Sequence, residues 1–290
     1  MKPAPFAYHA PRRLEEALAL LGALPEAKLL AGGQSLIPMM NFRLARPQHL
    51  VDLARVDGLA SIRAVGERIE IGAMTRQAAV ETSAVVRDGC PLLVDALRHV
   101  GHYASRTRGT IGGSLAHADP ASELPVVASA LDAELVVAGP GVTRVVAPAE
   151  FFRAPLTVAL DRREILTAVS FARIGPRVGW GFTELNRRHG GFAIVCVAAV
   201  LEVDGAGRCT KAAVALGGVA GVPVRSAGAE AGLLGHPLDD RRIDAAAAAV
   251  AGDIDPGSDL HASAEYRREM AQAFTRRALV QARGRFQEGR

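Results

Sequence analysis

Cysteine is scarce: three residues in 290, Cys90, Cys196 and Cys209, none in CxxC spacing. No zinc site or iron–sulfur cluster is encoded by such a set, and Cys196, inside an apolar run, reads as core packing. Aromatic residues make up only 4% of the chain. Basic residues occur as scattered arginine pairs (Arg12-Arg13, Arg187-Arg188, Arg241-Arg242, Arg267-Arg268, Arg276-Arg277) without a long basic run. A nucleic-acid surface concentrates such charge and supplies stacking rings, so that class is excluded. No apolar stretch is long enough to span a bilayer. Met1 to Ala10 is Pro-rich and lacks an apolar core, so no signal peptide is read there and a cytoplasmic protein is expected. Two nucleotide signatures are also missing: no GxxxxGK[ST] and no GxGxxG between a strand and a helix, which removes the P-loop and the Rossmann fingerprint. No internal repeat or low-complexity tract occurs.

What is present is a globular composition, 49% hydrophobic and 22% charged with net charge +4, long enough for two or three compact units. Pro3, Pro5 and Pro11 keep the start extended. Arg12 to Leu24 reads as an amphipathic helix with Leu14, Leu18 and Leu21 on one face and Glu15 and Glu16 early, ended by Pro25. Lys28 to Ala31 and His49 to Leu53 are short strands, closing a first unit near Val56. Ser61 to Thr75 is a hairpin turning at Gly66-Glu67. Thr75 to Ser83, Pro91 to Val100 and Ser122 to Leu131 read as helices, with an irregular segment from His102 to Gly109. Glu134 to Ala138 and Val142 to Val146 pair across Gly139-Pro140-Gly141, and Glu164 to Ala172 is a further strand. Gly175-Pro176 is the expected boundary. Beyond it come three long strands, Gly181 to Arg188, Phe192 to Val203 and Arg208 to Gly218, then helices over Asp239 to Ala251 and Ala264 to Arg283. Strands followed by helices describe an antiparallel sheet covered on one side. The units are therefore 1–56, 57–176 and 177–290, and the fold class is α+β.

Two glycine-paired stretches stand out, AGGQSL at Ala31 to Leu36 and TIGGSLAHADP at Thr110 to Pro120. They lie about eighty residues apart, each followed by small hydroxyl or amide residues. Glycine pairs let the backbone turn where a Cβ would clash and let successive N–H groups converge on an anion as a nest. Tight turns with no ligand would have the same composition. As a binding pair, the two loops would grip one phosphate-bearing ligand.

Together AGGQSLIPMMNFR, RGTIGGSLAHADPASELP and the strand block RRHGGFAIVCVAAVL resemble the flavin-binding medium subunit of the molybdenum hydroxylases. That family includes bacterial carbon monoxide dehydrogenase, xanthine dehydrogenase and related aromatic or heterocycle hydroxylases. The resemblance covers the whole chain. It implies a two-part FAD-binding domain of the PCMH/vanillyl-alcohol-oxidase type, followed by a C-terminal antiparallel sheet with helices on one face. It implies FAD held between the first two units. Leu29, Leu30, Ala31, Gly32, Gly33, Gln34, Ser35 and Leu36 form the first loop, with the N–H groups of Gly32 to Ser35 on the pyrophosphate. Thr110, Ile111, Gly112, Gly113 and Ser114 form the second, over the same phosphates and the ribityl chain. A side chain at Gly112 is expected to occupy the pyrophosphate's place. Glu123 matches a position where the family sets an acidic residue on a cofactor hydroxyl. Asp119 either assists there or caps the helix that follows. Leu166 matches a position packing beside the flavin, and His117 is a loop residue near the cofactor. Two departures weaken side-chain contacts: Thr107 stands where relatives often have Asn, and Thr183 where some carry a lysine.

His99 reads as a helix-end residue rather than a metal ligand, because no carboxylate support accompanies the histidines. No nucleophile–base pair is evident, which suits electron transfer, the flavin carrying the chemistry. The resemblance further implies a large molybdopterin subunit and a small subunit with two [2Fe–2S] clusters, assembled as a doubled heterotrimer, and an external electron acceptor. The lack of cluster-spaced cysteines here agrees with clusters on another chain and disfavours relatives with an inserted cluster. Two other readings stay open at this point: a stand-alone FAD oxidoreductase of the same fold, such as a cell-wall-precursor reductase, and a non-redox nucleotide-binding module.

Overall fold

The computed structural model describes residues 1–288. Its first sheet is small and parallel, in the order β1 (Ala7–His9), β3 (His49–Asp52), β2 (Ala27–Leu30). Parallel neighbours need crossovers, and here they are the helices Leu14–Ala23 and Leu36–Asn41. The first buries Ala17 and Leu21 against Val51 and Leu53. The second was not legible as a helix, because Pro38 sits in it; proline is tolerated in a first turn, where its missing N–H has no intrahelical acceptor.

The second sheet is antiparallel, five-stranded and built from distant pieces. The hairpin β4 (Ile62–Val65) and β5 (Arg68–Gly72) turns at Gly66, whose φ is +56°. β6 (Glu134–Gly139) and β7 (Val142–Val146) form the second hairpin. A two-stranded ribbon, β8 (Phe152–Ala154) and β9 (Thr157–Val158), leads into β10 (Ile165–Ala172), which lies between the two hairpins and pairs with β5 and β6. Helices Gln77–Thr82, Ala84–Gly89, Pro91–Leu97 and Glu123–Ala130 cover it. Ala84–Gly89 had no expectation attached; Ser83 accepts from the Val86 N–H at 3.4 Å and starts it, overriding the β-branched Val85-Val86 pair.

The third sheet runs β11 (Val178–Asn186), β12 (Ala193–Val203), β13 (Cys209–Gly217), β14 (Val224–Arg225), all antiparallel. The reason for the unbroken apolar run of β12 is that both faces are buried. Val195, Val197, Ala199 and Leu201 face the helices Ala227–Leu233, Asp240–Ala249 and Ala264–Glu288. Cys196, Ala198, Val200, Ala213 and Ala215 face the other way and share a core with Leu124, Val127 and the second sheet. The third sheet thus carries its own helices on one face and the middle of the chain on the other. A side-chain clasp fixes that junction: Asp95 accepts from Trp180 Nε1 at 3.1 Å and from Arg285 at 2.7 Å, and the Arg285 guanidinium lies 4.4 Å from the Trp180 ring centre.

The largest departure from the sequence reading is at the second glycine pair. Ile111–His117 is a helix, not a turn, with Thr110 as its N-cap accepting from the Gly113 N–H at 3.0 Å. Gly112 and Gly113 occupy its first turn, where glycine costs about 1 kcal/mol relative to alanine. Packing explains them: a Cβ on Gly112 would be driven into Ala73.

Glycine also sets the distance between β11 and the long C-terminal helix, since a Cβ on Gly181 would be driven into the Ala278 carbonyl. Gly181→Ala is expected to lower the urea midpoint, at a cost of about 1–3 kcal/mol. Gly205→Ala, which meets nothing within 4 Å, should stay within about 0.5 kcal/mol of wild type in the same titration.

Candidate functional site

Three backbone segments meet between the first and second sheets. The Gln77 N–H donates to the Gly109 carbonyl at 2.9 Å, Ile111 N–H to Thr75 at 3.1 Å, and Gly112 N–H to Ala73 at 2.8 Å. Arg76 also donates to the Arg108 carbonyl. The first glycine loop lies on this platform. A Cβ on Gly32 would be driven into the Arg108 carbonyl, and one on Gly113 would sit 3.1 Å from Ala31 Cβ. Gly33 has φ +72°, a conformation natural to glycine. The two glycine stretches therefore touch each other, and their bare Cα atoms are what lets them.

The loops differ in what they leave free. In the second stretch the N–H groups of Ile111, Gly112, Gly113 and Ser114 all have protein acceptors. Among the described residues, the N–H groups of Gly32, Gly33, Gln34, Ser35 and Leu36 have none. The first loop thus leaves its N–H donors free, whereas the second spends its own within the protein while still lining the cavity described below. The expectation that a side chain at Gly112 would fill phosphate space is replaced by a clash with Ala73.

Beside the platform opens a cavity of about 1660 Å³, larger than the roughly 300–1,000 Å³ that suits a drug-sized molecule. Leu29, Ala31, Gly32, Gly33, Gln34, Ser35, Leu36, Thr110, Gly112, Gly113, Ser114, His117, Asp119, Glu123 and Leu166 line it. Leu30 and Ile111 do not; Ile111 is fully buried beneath the platform. The connection between β11 and β12 closes the far side with Arg187, Arg188, Gly190, Gly191 and Phe192, and Arg267 reaches in from the long helix. Lys28, Arg162, Arg187 and Arg188 stand on the walls without an ion pair among the described residues, alongside the carboxylates of Asp119, Asp161, Glu164, Asp255 and Asp259. Sequence reasoning missed Arg267, Arg188 and Phe192. The signal for the last two was a third glycine pair, Gly190-Gly191: Gly190, φ +72°, lets the strand start fold against Gly101.

The polar groups inside sort into held and free. Asp119 accepts from the Ala121 N–H at 2.9 Å, fixing the turn ahead of the helix while its residue stays on the wall. The helix itself has Ser122 as N-cap, with no side-chain hydrogen bond. Thr183 is buried, donating to the Phe274 carbonyl at 2.9 Å, so it pins β11 to the long helix and does not reach the cavity. Thr107 donates to Ala104 at 2.8 Å and closes a short helix, Tyr103–Arg106, in the segment expected to be irregular. Arg267 donates to the Ile194 and Gly218 carbonyls at 2.6 and 2.9 Å and pairs with Asp259. His117 is half-buried, which holds its pKa below the usual imidazole value. Glu123, 6% exposed, makes no side-chain hydrogen bond to another residue among the described residues. Burial, reinforced by the charge of Glu184, pushes its pKa up to about 8.

The fold is thus that of an FAD-binding domain followed by a C-terminal domain. Residues 4–172 match the family described as FAD binding domain in molybdopterin dehydrogenase. Residues 180–282 match the CO dehydrogenase flavoprotein C-terminal domain. The chain is 38% identical over 283 residues to the 6-hydroxypseudooxynicotine dehydrogenase complex subunit alpha of Paenarthrobacter nicotinovorans, covering 97% of this chain and 96% of that one. It is 36% identical over 280 residues to the carbon monoxide dehydrogenase medium chain of Hydrogenophaga pseudoflava, covering 96% and 97%. The solved structure of the Hydrogenophaga pseudoflava carbon monoxide dehydrogenase lacking the Mo-pyranopterin moiety of its cofactor superposes with a TM-score of 0.96 at 38% identity, covering 98% of this chain and 99% of that one. The chain belongs to the family of FAD-binding subunits of the molybdenum hydroxylases, and it is the flavoprotein component of an oxidoreductase of that type. No helix among the described residues is long and apolar enough to cross a membrane.

The residues present fit FAD. Unpartnered N–H groups and unpaired cations suit a diphosphate, and a carboxylate without a protein donor suits a sugar or ribityl hydroxyl.

Glu123 also carries a stability signature. Its folded pKa lies above its ordinary value, so the native chain without cofactor holds a proton that the unfolded chain releases. Stability should therefore fall as pH rises from about 5 to about 8, by an amount on the order of 3 kcal/mol from this group. Urea midpoints of flavin-free protein across that range should show the slope, and Glu123→Gln should reduce it, leaving the part contributed by the buried Glu184, whose pKa is also raised.

Proposed function

We propose that this chain holds FAD with its diphosphate on the N–H groups of Gly32 to Ser35, and serves as the electron-transfer subunit of a molybdenum hydroxylase complex. The bound flavin supplies the redox chemistry, accepting electrons from [2Fe–2S] clusters of a small partner subunit and passing them to an external acceptor. The large partner carries the molybdopterin. The assembly is a doubled heterotrimer in the cytoplasm. In the same reading, residues 1–56 and 57–176 are the two halves of the cofactor domain and 177–290 the C-terminal one, whose last two residues lie outside those described.

The observation that carries this reading is the run of five successive unpartnered N–H groups, Gly32 to Leu36, on the wall of a large cavity. Backbone donors approach a diphosphate closely only where no Cβ intervenes. The hydroxyls of Ser35 and Ser114, without protein partners among the described residues, add donors on either side. Glu123 accepts from a hydroxyl of the cofactor, and the half-buried, neutral imidazole of His117 lies on the same wall. Leu166, 5% exposed on β10, offers an apolar surface to the ring system. Rigidity comes from the platform beneath, so the donors are aimed before the ligand arrives. The medium-subunit names of the relatives support partners. The chain contains no cluster-spaced cysteines of its own.

Gly33→Val tests the loop. A β-branched residue at φ +72° carries strain on the order of 1–3 kcal/mol, so FAD affinity should fall about tenfold or more. Flavin absorbance per protein after purification reads it, and full occupancy in the variant would refute the cradle. Co-expression with molybdenum and iron–sulfur subunits should yield a single co-purifying complex whose flavin is bleached by substrate of the large subunit. A solitary chain that turns over substrate would contradict the assignment.

A further inference from the structure

The start of β10 serves both halves of the cofactor domain at once. Ile165 is fully buried with Ala17, Leu21 and Leu53 of the first unit. Leu166, the next residue, packs into the core of the second unit and lines the cavity, as alternation along a strand requires. The ladder then slips. Leu166 lies opposite Val137 and Ala168 opposite Val136, so Thr167 is an extra residue. A bulge of this kind re-aims the side chains beside it. Here it is tied down on both sides. The Thr167 hydroxyl donates to the Val136 carbonyl at 3.0 Å, and the Thr167 carbonyl accepts from the Ala73 N–H at 2.8 Å. Ala73 is also the residue against which Gly112 rests.

Ahead of Ile165 the chain turns over residues 161–164. The Glu164 N–H donates to the Asp161 carbonyl at 3.0 Å, and the Asp161 N–H donates to Glu164 Oε2 at 2.8 Å. Arg144, on β7, grips this turn from behind. Its Nε donates to Glu164 Oε1 at 2.8 Å and its Nη2 to Oε2 at 2.7 Å, a bidentate fork. The same Nη2 donates to the Ala159 carbonyl at 2.6 Å. These hydrogen bonds hold the Glu164 carboxyl below the usual carboxylate range. Gly139 leaves room for the grip, since a Cβ there would lie 3.3 Å from Glu164 Cγ. On its other side the turn leans on the helix Leu14–Ala23, with Arg163 Cδ 3.8 Å from the place a Cβ on Gly22 would take. Glu164 lines the cavity and Arg144 does not. A partly exposed ion pair contributes little to stability by itself, so the consequence of this fork is geometric.

We propose that Arg144 and Glu164 are positioning residues of the cofactor site, clamping the start of β10 so that Leu166 meets the ring system of bound FAD at a fixed height and angle. The clamp holds the strand on one side of Leu166 and the Thr167 bulge holds it on the other. A wall that is to touch a planar ring evenly must be held within about 0.5 Å, and a free strand end does not provide that. Arg144 acts through Glu164, and Glu164 through the backbone that carries Leu166. This inference rests on the cofactor reading above.

Visible circular dichroism of the full chain at saturating FAD tests it, because the signal of a bound flavin reports the handed contacts around its ring. Arg144→Met, Arg144→Lys and Glu164→Gln are each expected to weaken that signal and to raise the Kd for FAD about tenfold, or about 1.4 kcal/mol. Lysine keeps the charge but not the fork, so it should behave as methionine does. Leu166→Ala should weaken the signal in the same way, and adding Arg144→Met to it should change little more, the non-additivity of residues that act as one unit. Arg63→Met, which breaks the pair with Glu70 near the opposite edge of the same sheet, should alter neither readout. Urea titration of each flavin-free variant checks that it folds; should Arg144→Met fail to fold, Arg144→Lys and Glu164→Gln carry the test. An unchanged signal in Glu164→Gln, a wild-type signal in Arg144→Lys, or effects of Arg144→Met and Leu166→Ala that simply add would overturn the clamp and leave the cofactor reading standing. So would tighter FAD binding in Glu164→Gln, the sign expected if these residues acted only through their charge on an anionic ligand. A wild-type chain that takes up no FAD would overturn both.

Discussion

The site depends on the contact of three stretches of main chain at a separation that only hydrogen atoms on Cα permit. The segments at Ala31 to Gly33, Ala73 to Gln77 and Arg108 to Gly113 interlock, with Gly32, Gly109, Gly112 and Gly113 each facing another segment's atoms. The hydrogen bonds from Gln77, Ile111 and Gly112 knit the last two into one support. The first is laid on top with its own donors turned outward. Holding a loop of unpartnered N–H groups in place is unfavourable by itself. The platform is what keeps that loop from folding onto internal acceptors.

Charge and closure come from the rest of the chain. The cations around the opening belong to all three sheets' surroundings, from Lys28 to Arg188. Arg267, 7% exposed, ties the Ile194 and Gly218 carbonyls together and so fixes the part of the third sheet that faces the cavity. The acidic residues are treated differently: Asp119 and Asp259 are satisfied by backbone N–H groups, whereas Glu123 and Glu184 are buried without cations. A pocket with unpaired cations on its walls and a buried, proton-bearing Glu123 separates the task of attracting an anion from that of reading its hydroxyls.

Much of this was legible in the sequence, for identifiable reasons. Long apolar or alternating runs such as Ala193–Val203 and Arg68–Gly72 announced their strands, and Gly139-Pro140-Gly141 its turn. The AGGQSL loop was legible as a donor-bearing turn because Gly33 takes a positive φ there. At the second stretch the turn reading and the space beside Gly112 were misread, because a glycine pair states only that space is tight, not whether a ligand or a neighbouring backbone occupies it. Here Ala73 occupies it. Ala84–Gly89 and Tyr103–Arg106 were hidden because short helices draw their stability from tertiary contacts rather than periodicity. The burial of Glu184 beside Cys196 was invisible, since that cross-strand register exists only once the third sheet has formed.

That docking constrains how such genes can be rearranged. The plane of Cys196, Ala198, Ala213 and Ala215 has its complement on Leu124 and Val127, more than fifty residues upstream. Severing the chain at Gly175 would strand an oily surface on each fragment, inviting both to aggregate. Recombination that exchanges one part without the other would have to rebuild this seam, so the two are expected to travel through evolution as a single cassette.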